Sequence, residues 1–123
     1  SMRQMVATQR VRSASSALTE SLWMARSEAL KRNATVSFAV PNGTLTGWNI
    51  VQGATTLHTQ DGYPTVAASN STGNNATFSF NAYGRLAAGA PTWVKLEVTS
   101  GGAYRYVCIS STGRAVVQEE ACS

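Results

Sequence analysis

Few side chains in this sequence could do covalent or acid–base chemistry. Two cysteines, Cys108 and Cys122, stand near the C-terminus with a short hairpin-like segment between them. Closing a loop of about 15 residues is worth roughly 3 kcal/mol in the chain-entropy picture. A disulfide pinning the tail, and hence an oxidising compartment, is favoured over two free thiols in a cytosolic protein. There is one histidine, His58, and no CxxC, so metal binding is not expected. His58 has no Ser or Cys beside it in an elbow such as G-x-S-x-G. The acids are Glu20, Glu28, Asp61, Glu97, Glu119 and Glu120. Only the last two adjoin, in a polar tail where carboxylates are solvated rather than arranged as a general acid/base pair. No glycine-rich loop leads into a helix to cradle a phosphate. The chain reads as non-enzymatic, with no cofactor and no metal.

What remains is electrostatic. The net charge is +4 and the pI about 9.5. That excess suits an anionic partner such as nucleic acid or a membrane face. The ten cations are scattered, however, with no run longer than Lys31-Arg32, and a mildly basic surface without a dedicated partner is the commoner meaning of such a pattern. Arg85, Lys95, Arg105 and Arg114 are the candidates for phosphate contact, with Tyr83, Tyr104 and Tyr106 close in sequence to stack on bases. Strand alternation would turn Arg105 away from Tyr104 and Tyr106, leaving those tyrosines in the core or half-buried. Glu119 and Glu120 would repel phosphate near Arg114.

The elements that must position these residues fall into two unlike parts. Arg3 to Asn33 contains neither Pro nor Gly. Val11, Ala14, Leu18, Leu22, Ala25 and Ala29 recur three and four apart, as one stripe of a helix does. The small residues on it allow close approach of a sheet or another backbone. Trp23 and Leu30 lie off the stripe and are expected to widen the apolar face against the domain. Lys31 and Arg32 suit the negative end of the helix dipole, and Asn33 can adopt the left-handed conformation that ends a helix. About 31 helical residues span roughly 46 Å, against a radius of gyration of roughly 14 Å for a compact chain of this size. Part of the helix should therefore project and be covered by something else. The polar stretch before Val11 is the expected projecting part.

Beyond Asn33 the chain holds all ten glycines and three prolines, with short β-branched runs between turns. Strands are expected over 35–40, 45–51, 76–80, 92–99, 104–109 and 114–118, the last two joined by a hairpin at Ser110-Ser111-Thr112-Gly113. The stretch 52–65 is ambiguous, with a strand near Thr56-Leu57-His58 and a turn at Asp61-Gly62. Ala67 to Asn75 reads as a loop. The 123 residues make a single domain, a helix over 3–33 and a β part over 34–123. Charged residues are only 13 %, about half the usual share, and Ser, Thr, Asn and Gly supply the surface instead. No apolar run approaches the length of a membrane span, and no secretory signal is visible. Ser1-Met2 looks like a cloning remnant. Sequons at Asn33, Asn42, Asn70 and Asn75 are read as accidents of an Asn/Thr-rich chain.

Three landmarks carry a resemblance. The helix end Leu22-Trp23-Met24-Ala25-Arg26-Ser27-Glu28-Ala29-Leu30-Lys31-Arg32-Asn33 runs at once into the strand Thr35-Val36-Ser37-Phe38. Phe78-Ser79-Phe80-Asn81-Ala82-Tyr83-Gly84-Arg85 is a strand entering a G-R turn. Ile109-Ser110-Ser111-Thr112-Gly113-Arg114 is a second G-R turn before the C-terminus. In this order and spacing the chain resembles the GspH/FimT/FimU family, minor pilins of type IV pili and minor pseudopilins of type II secretion. The resemblance implies an α+β, pilin-like fold: a long N-terminal helix packed against antiparallel β-sheets. It implies a hydrophobic segment ahead of Arg3 that anchors the precursor in the inner membrane, a periplasmic domain, and a filament in which Val11, Leu18, Leu22, Ala25 and Ala29 pack the helix. Its partners would be other major and minor pilins. The FimT branch is linked to DNA uptake, with double-stranded DNA contacted through a basic C-terminal G-R-x-R. Here the motif reads Gly113-Arg114-Ala115-Val116, with Val116 in place of the second arginine, and the cysteine-closed tail is more similar to the FimU branch. The expected role is assembly or priming of a type IV pilus. DNA uptake and a secretion pseudopilus are the alternatives.

Overall fold

The computed structural model describes residues 2–99 and 102–122; Ser1, half of the Ser1-Met2 pair, lies outside them. Helix α1 runs Met2–Arg32. Seven strands follow: β1 Val36–Val40, β2 Gly43–Gln52, β3 Thr55–Asn70, β4 Ala76–Phe80, β5 Trp93–Val98, β6 Tyr104–Ile109 and β7 Ala115–Gln118. They form one antiparallel sheet in the order β4-β1-β2-β3-β5-β6-β7. The fold is therefore α+β, with one helix on one sheet rather than on several.

The helix stripe is the centre of the core. Val11, Ala14, Leu18, Leu22, Ala25 and Ala29 are fully buried, against Val36, Phe38, Ile50, Phe78, Phe80, Leu96 and Val107 from the sheet. Alanines on the helix let the strands come close, and the large side chains come from the other side. Three hydroxyls on the buried face, of Ser15, Thr19 and Ser21, need partners there. Ser15 Oγ donates to the Val11 carbonyl at 2.8 Å and Thr19 Oγ1 to the Ser15 carbonyl at 2.8 Å. Ser21 Oγ accepts from Trp48 Nε1 at 2.9 Å, which ties β2 to the helix. At the C-terminus Asn33 takes φ 53°, and the Ala34 amide bonds the Ala29 carbonyl at 3.2 Å, the six-to-one closure of a left-handed cap.

The structure departs from the sequence pattern at four places. Burial on the helix begins at Ala7 rather than at Val11, and only residues 2–6 are exposed throughout. The single broad sheet meets the helix with all seven of its strands, so its inner face covers about 33 Å of helix, from Ala7 to Ala29. Trp23 and Leu30 do not widen the buried face: they are 57 % and 45 % exposed. Asp61-Gly62 is not a turn but the middle of the sixteen-residue β3. Gly62 is there because β2 passes too close for a side chain: a Cβ would lie 2.5 Å from the Leu45 carbonyl oxygen. Finally, residues 67–70 belong to β3, and the loop begins only at Ser71.

That loop explains some of the sequons. Asn70 is buried, its Oδ1 accepting from the Thr72 amide at 2.9 Å and its Nδ2 donating to the Asn74 carbonyl at 2.6 Å. Asn75 Oδ1 accepts from the Asn42 amide at 2.9 Å, joining the loop to the β1–β2 connection. These asparagines hold turns together.

Candidate functional site

The two G-R turns have the same internal structure. In the first, the Asn81 amide bonds the Arg85 carbonyl at 2.9 Å and the Gly84 amide bonds the Asn81 carbonyl at 2.9 Å. In the second, the Ser110 amide bonds the Arg114 carbonyl at 2.9 Å and the Gly113 amide bonds the Ser110 carbonyl at 2.9 Å. The opening side chain caps each turn: Asn81 Oδ1 accepts from the Arg85 amide at 3.0 Å, and Ser110 Oγ from the Arg114 amide at 3.2 Å. Glycine is required in both, at φ 78° for Gly84 and φ 89° for Gly113.

Both turns close on one residue of the helix. Arg26 Nε donates to the Gly84 carbonyl at 3.0 Å, and a Cβ on Gly113 would lie 3.1 Å from Arg26 Cδ. The turns also touch each other, the Leu86 amide donating to the Ser111 carbonyl at 3.3 Å. The first turn follows β4 and the second joins β6 to β7, at opposite margins of the sheet. The sheet therefore curls until its margins meet over Arg26. A groove of about 540 Å³ is left between the helix and the second turn, lined by Trp23, Arg26, Ser27, Leu30, Thr112 and Arg114. Tyr83, at the tip of the first turn, is 82 % exposed.

The four candidate cations are not gathered on one surface. Lys95 and Arg105 lie on opposite faces of the β5–β6 pair, since Lys95 opposes Tyr106 and Arg105 opposes the core residue Leu96. Lys95 Nζ is 4.9 Å from the centroid of the Tyr104 ring and 3.9 Å from Glu97 Oε1. Arg105 is 3.3 Å from Glu119 Oε1. Tyr104 and Tyr106 stand on the outer face, packed edge to face at 6.0 Å, and Tyr104 is exposed rather than half-buried. Arg85 and Arg114, by contrast, leave equivalent turns and have no ion pair among the described residues. With Arg26, Lys31 and Arg32, and against Glu28, they account for the whole net charge of +4; the other five cations and five acids cancel. A second group of cations, Arg3, Arg10 and Arg12, lies at the other end of the helix, also without an ion pair among the described residues.

A family profile described as type II transport protein GspH matches residues 14–113. The chain belongs to the GspH/FimT/FimU family. Two crystal structures of the type IV minor pilin FimU from Pseudomonas aeruginosa PAO1 share its fold. One aligns with a TM-score of 0.70 at 25 % identity over 92 % of this chain and 90 % of FimU. The other, in a second crystal form, aligns at 0.68 and 25 % identity over 87 % and 91 %. No curated protein matches the sequence significantly. The GspH match covers the helix stripe from Ala14 and both turns as far as Gly113.

The three sequence landmarks of this GspH-family chain are one structural unit, because helix and turns meet at Arg26. Arg26 carries no mark in the sequence beyond its place beside Trp23. The signal that could have found it is the recurrence of x-x-x-G-R at Asn81–Arg85 and Ser110–Arg114, which reads as coincidence until both turns are seen on one side chain. Cys108 and Cys122 form a disulfide with Cα atoms 5.7 Å apart, fastening the tail that follows β7 to β6. His58 is exposed on β3, and no group of three or more potential metal ligands occurs among the described residues. No helix among them is long and apolar enough to cross a membrane.

Proposed function

We propose that this chain is a minor pilin, a structural subunit without enzymatic activity that serves in assembly or priming of a type IV pilus. The observation that carries the reading is the division of the helix. One face is sealed by the sheet, while residues 2–6, Trp23, Met24 and Leu30 remain exposed along the rest. Exposed large apolar groups along a helix are what lateral packing with neighbouring subunits would cover. The likeness to FimU over nine-tenths of both chains supports the same reading. Partners would be other major and minor pilins, met through the helix. A hydrophobic segment preceding the helix would anchor the precursor in the inner membrane, with this domain in the periplasm, where the Cys108–Cys122 bond is stable. The division into a spine helix (3–33) and an outward β part (34–123) follows from that arrangement. Photo-crosslinkers placed at Met5 and Trp23 in cells should capture other pilins, and deletion should reduce piliation. Crosslinks to no pilin, with normal piliation, would refute the proposal. Loss of protein secretion with intact pili would move the chain to a secretion pseudopilus.

A second reading, a DNA-binding minor pilin used in DNA uptake, is favoured by one observation. Arg85 and Arg114 leave equivalent turns without an ion pair among the described residues, near exposed Trp23 and Tyr83. Lys95 and Arg105, engaged by acids, would contribute little. Binding would be sequence-independent, in about the micromolar range, and would weaken steeply with salt. The test is a titration with duplex DNA across a salt series, with Arg114→Glu as comparison. Equal binding by the variant would remove Arg114 from the site.

A further inference from the structure

Arg26 holds the two turns through only part of its side chain. Its Nε donates to the Gly84 carbonyl at 3.0 Å, while its two Nη groups have no hydrogen-bond or ion-pair partner among the described residues. The side chain is fixed all the same. A Cβ at Gly84 would lie 3.3 Å from Arg26 Cζ, and one at Gly113 3.1 Å from Arg26 Cδ, so both turns press on it. The rotamer freedom that a long side chain gives up on binding is therefore already gone in the folded chain. A guanidinium held in this way is preorganised to meet a planar anion with two parallel N–H···O bonds.

Arg26 lines the groove between the helix and the second turn, and so does Arg114, which has no ion pair either. The groove of about 540 Å³ falls in the usual range for ligand pockets, roughly 300–1,000 Å³. No carboxylate lines it. The acid nearest in sequence, Glu28, is engaged by Lys31 at 3.6 Å and Arg32 at 2.7 Å. Beside the two guanidinium groups stand the exposed apolar side chains of Trp23 and Leu30.

We infer that this groove binds a carboxylate carried next to an apolar side chain, on a polypeptide segment of another subunit. Arg26 and Arg114 hold the carboxylate, and Trp23 and Leu30 cover its apolar neighbour. Only a ligand with both kinds of group satisfies such a mixed surface. A DNA duplex offers phosphates but keeps its base faces inside the stack, and so leaves Trp23 and Leu30 uncovered. The source of the segment rests on the minor-pilin reading; its chemistry rests on the groove alone.

The test is an NMR titration of the oxidised, isotope-labelled protein. The probes are a blocked hexapeptide of alternating leucine and glutamate, the same peptide with glutamine for glutamate, and a short DNA duplex. The acidic peptide should shift the Trp23 indole, the Arg26 Nε–H and the Gly113 amide. The glutamine peptide should bind about tenfold more weakly, because the charge-assisted bonds are lost. Trp23→Ala and Arg114→Gln, both at exposed positions, should each weaken the acidic peptide by about tenfold, with thermal melts to check that each variant is folded. Equal affinity for the two peptides overturns the inference. So does an acidic peptide that moves other resonances, or one that neither substitution weakens. A duplex that shifts the same signals and displaces the peptide assigns the groove to nucleic acid and overturns it too. Crosslinks from Trp23 to other pilins without peptide binding would sink this inference and leave the filament reading standing. Peptide binding without such crosslinks would uphold the groove's chemistry and fail the filament reading.

Discussion

Replacing Gly113 with alanine tests whether the two turns and Arg26 are one mechanical unit. Gly113 sits at φ 89°, where a residue bearing a Cβ costs about 1–2 kcal/mol more than glycine. The added methyl would also lie 2.8 Å from Phe80 Cε1 and 3.1 Å from Arg26 Cδ. Arg26 is tethered by its bond to the Gly84 carbonyl. Phe80 is fully buried and cannot retreat without displacing its neighbours, and such overpacking costs about 1–3 kcal/mol. Together the loss should be about 2–5 kcal/mol. Gly73→Ala is the control: its φ is 76°, but nothing lies within 4 Å of the added atom, so only the backbone cost of about 1–2 kcal/mol applies. The assay is urea unfolding with the disulfide intact, followed by tryptophan fluorescence. With a slope of about 1–3 kcal/mol per molar urea, the midpoint for Gly113→Ala should fall by about 1–2 M. Adding Phe80→Leu to Gly113→Ala should cost less than Phe80→Leu does alone, because the clash is relieved. Equal destabilisation by Gly113→Ala and Gly73→Ala would show that the turn does not bear on the core, and the reasoning would fail.

Leu22→Ala, at the fully buried middle of the stripe, should cost about 2–5 kcal/mol; a thermal midpoint close to that of the parent would count against the helix–sheet core. Replacing Cys108 and Cys122 together with serine should remove about 3 kcal/mol, read by urea unfolding, and reduction of the parent should reproduce the shift. Glu28 is held below the ordinary carboxylate range, first by its hydrogen bond from Arg32 and then by the charges of Lys31 and Arg32. A depressed acid of this kind supports the fold above the ordinary carboxylate range, and the support disappears as pH falls through the depressed value. An NMR titration should place the Glu28 midpoint below the usual glutamate range, and Arg32→Gln should move it upward.

Patterns carried within one element are legible in the order of residues. The stripe from Val11 to Ala29 follows from helical periodicity, and the cap at Asn33 from the ease with which asparagine adopts positive φ. The strands 76–80 and 104–109 follow from alternation. Asp61-Gly62 misleads because its composition signals a turn, whereas the glycine answers a neighbour: the Leu45 backbone that crosses beside it. Trp23 and Leu30 mislead because apolarity says that a group will be covered, and not by which molecule. The place of β7 at the margin of the sheet has no local signal, since Val116 and Val117 look the same in a central strand as in a marginal one.

Periodicity, capping and cysteine spacing are enough to establish a long helix, a run of antiparallel strands and a fastened tail, because each depends on residues only a few positions apart. Which groups face one another across the molecule is settled by folding alone. Arg26 meets Gly84 and Gly113 only when the sheet curls, and strand pairing sets Lys95 and Arg105 on opposite faces of the sheet. Those relations join segments up to 87 positions apart, and no local preference of the chain encodes the packing that brings them into contact.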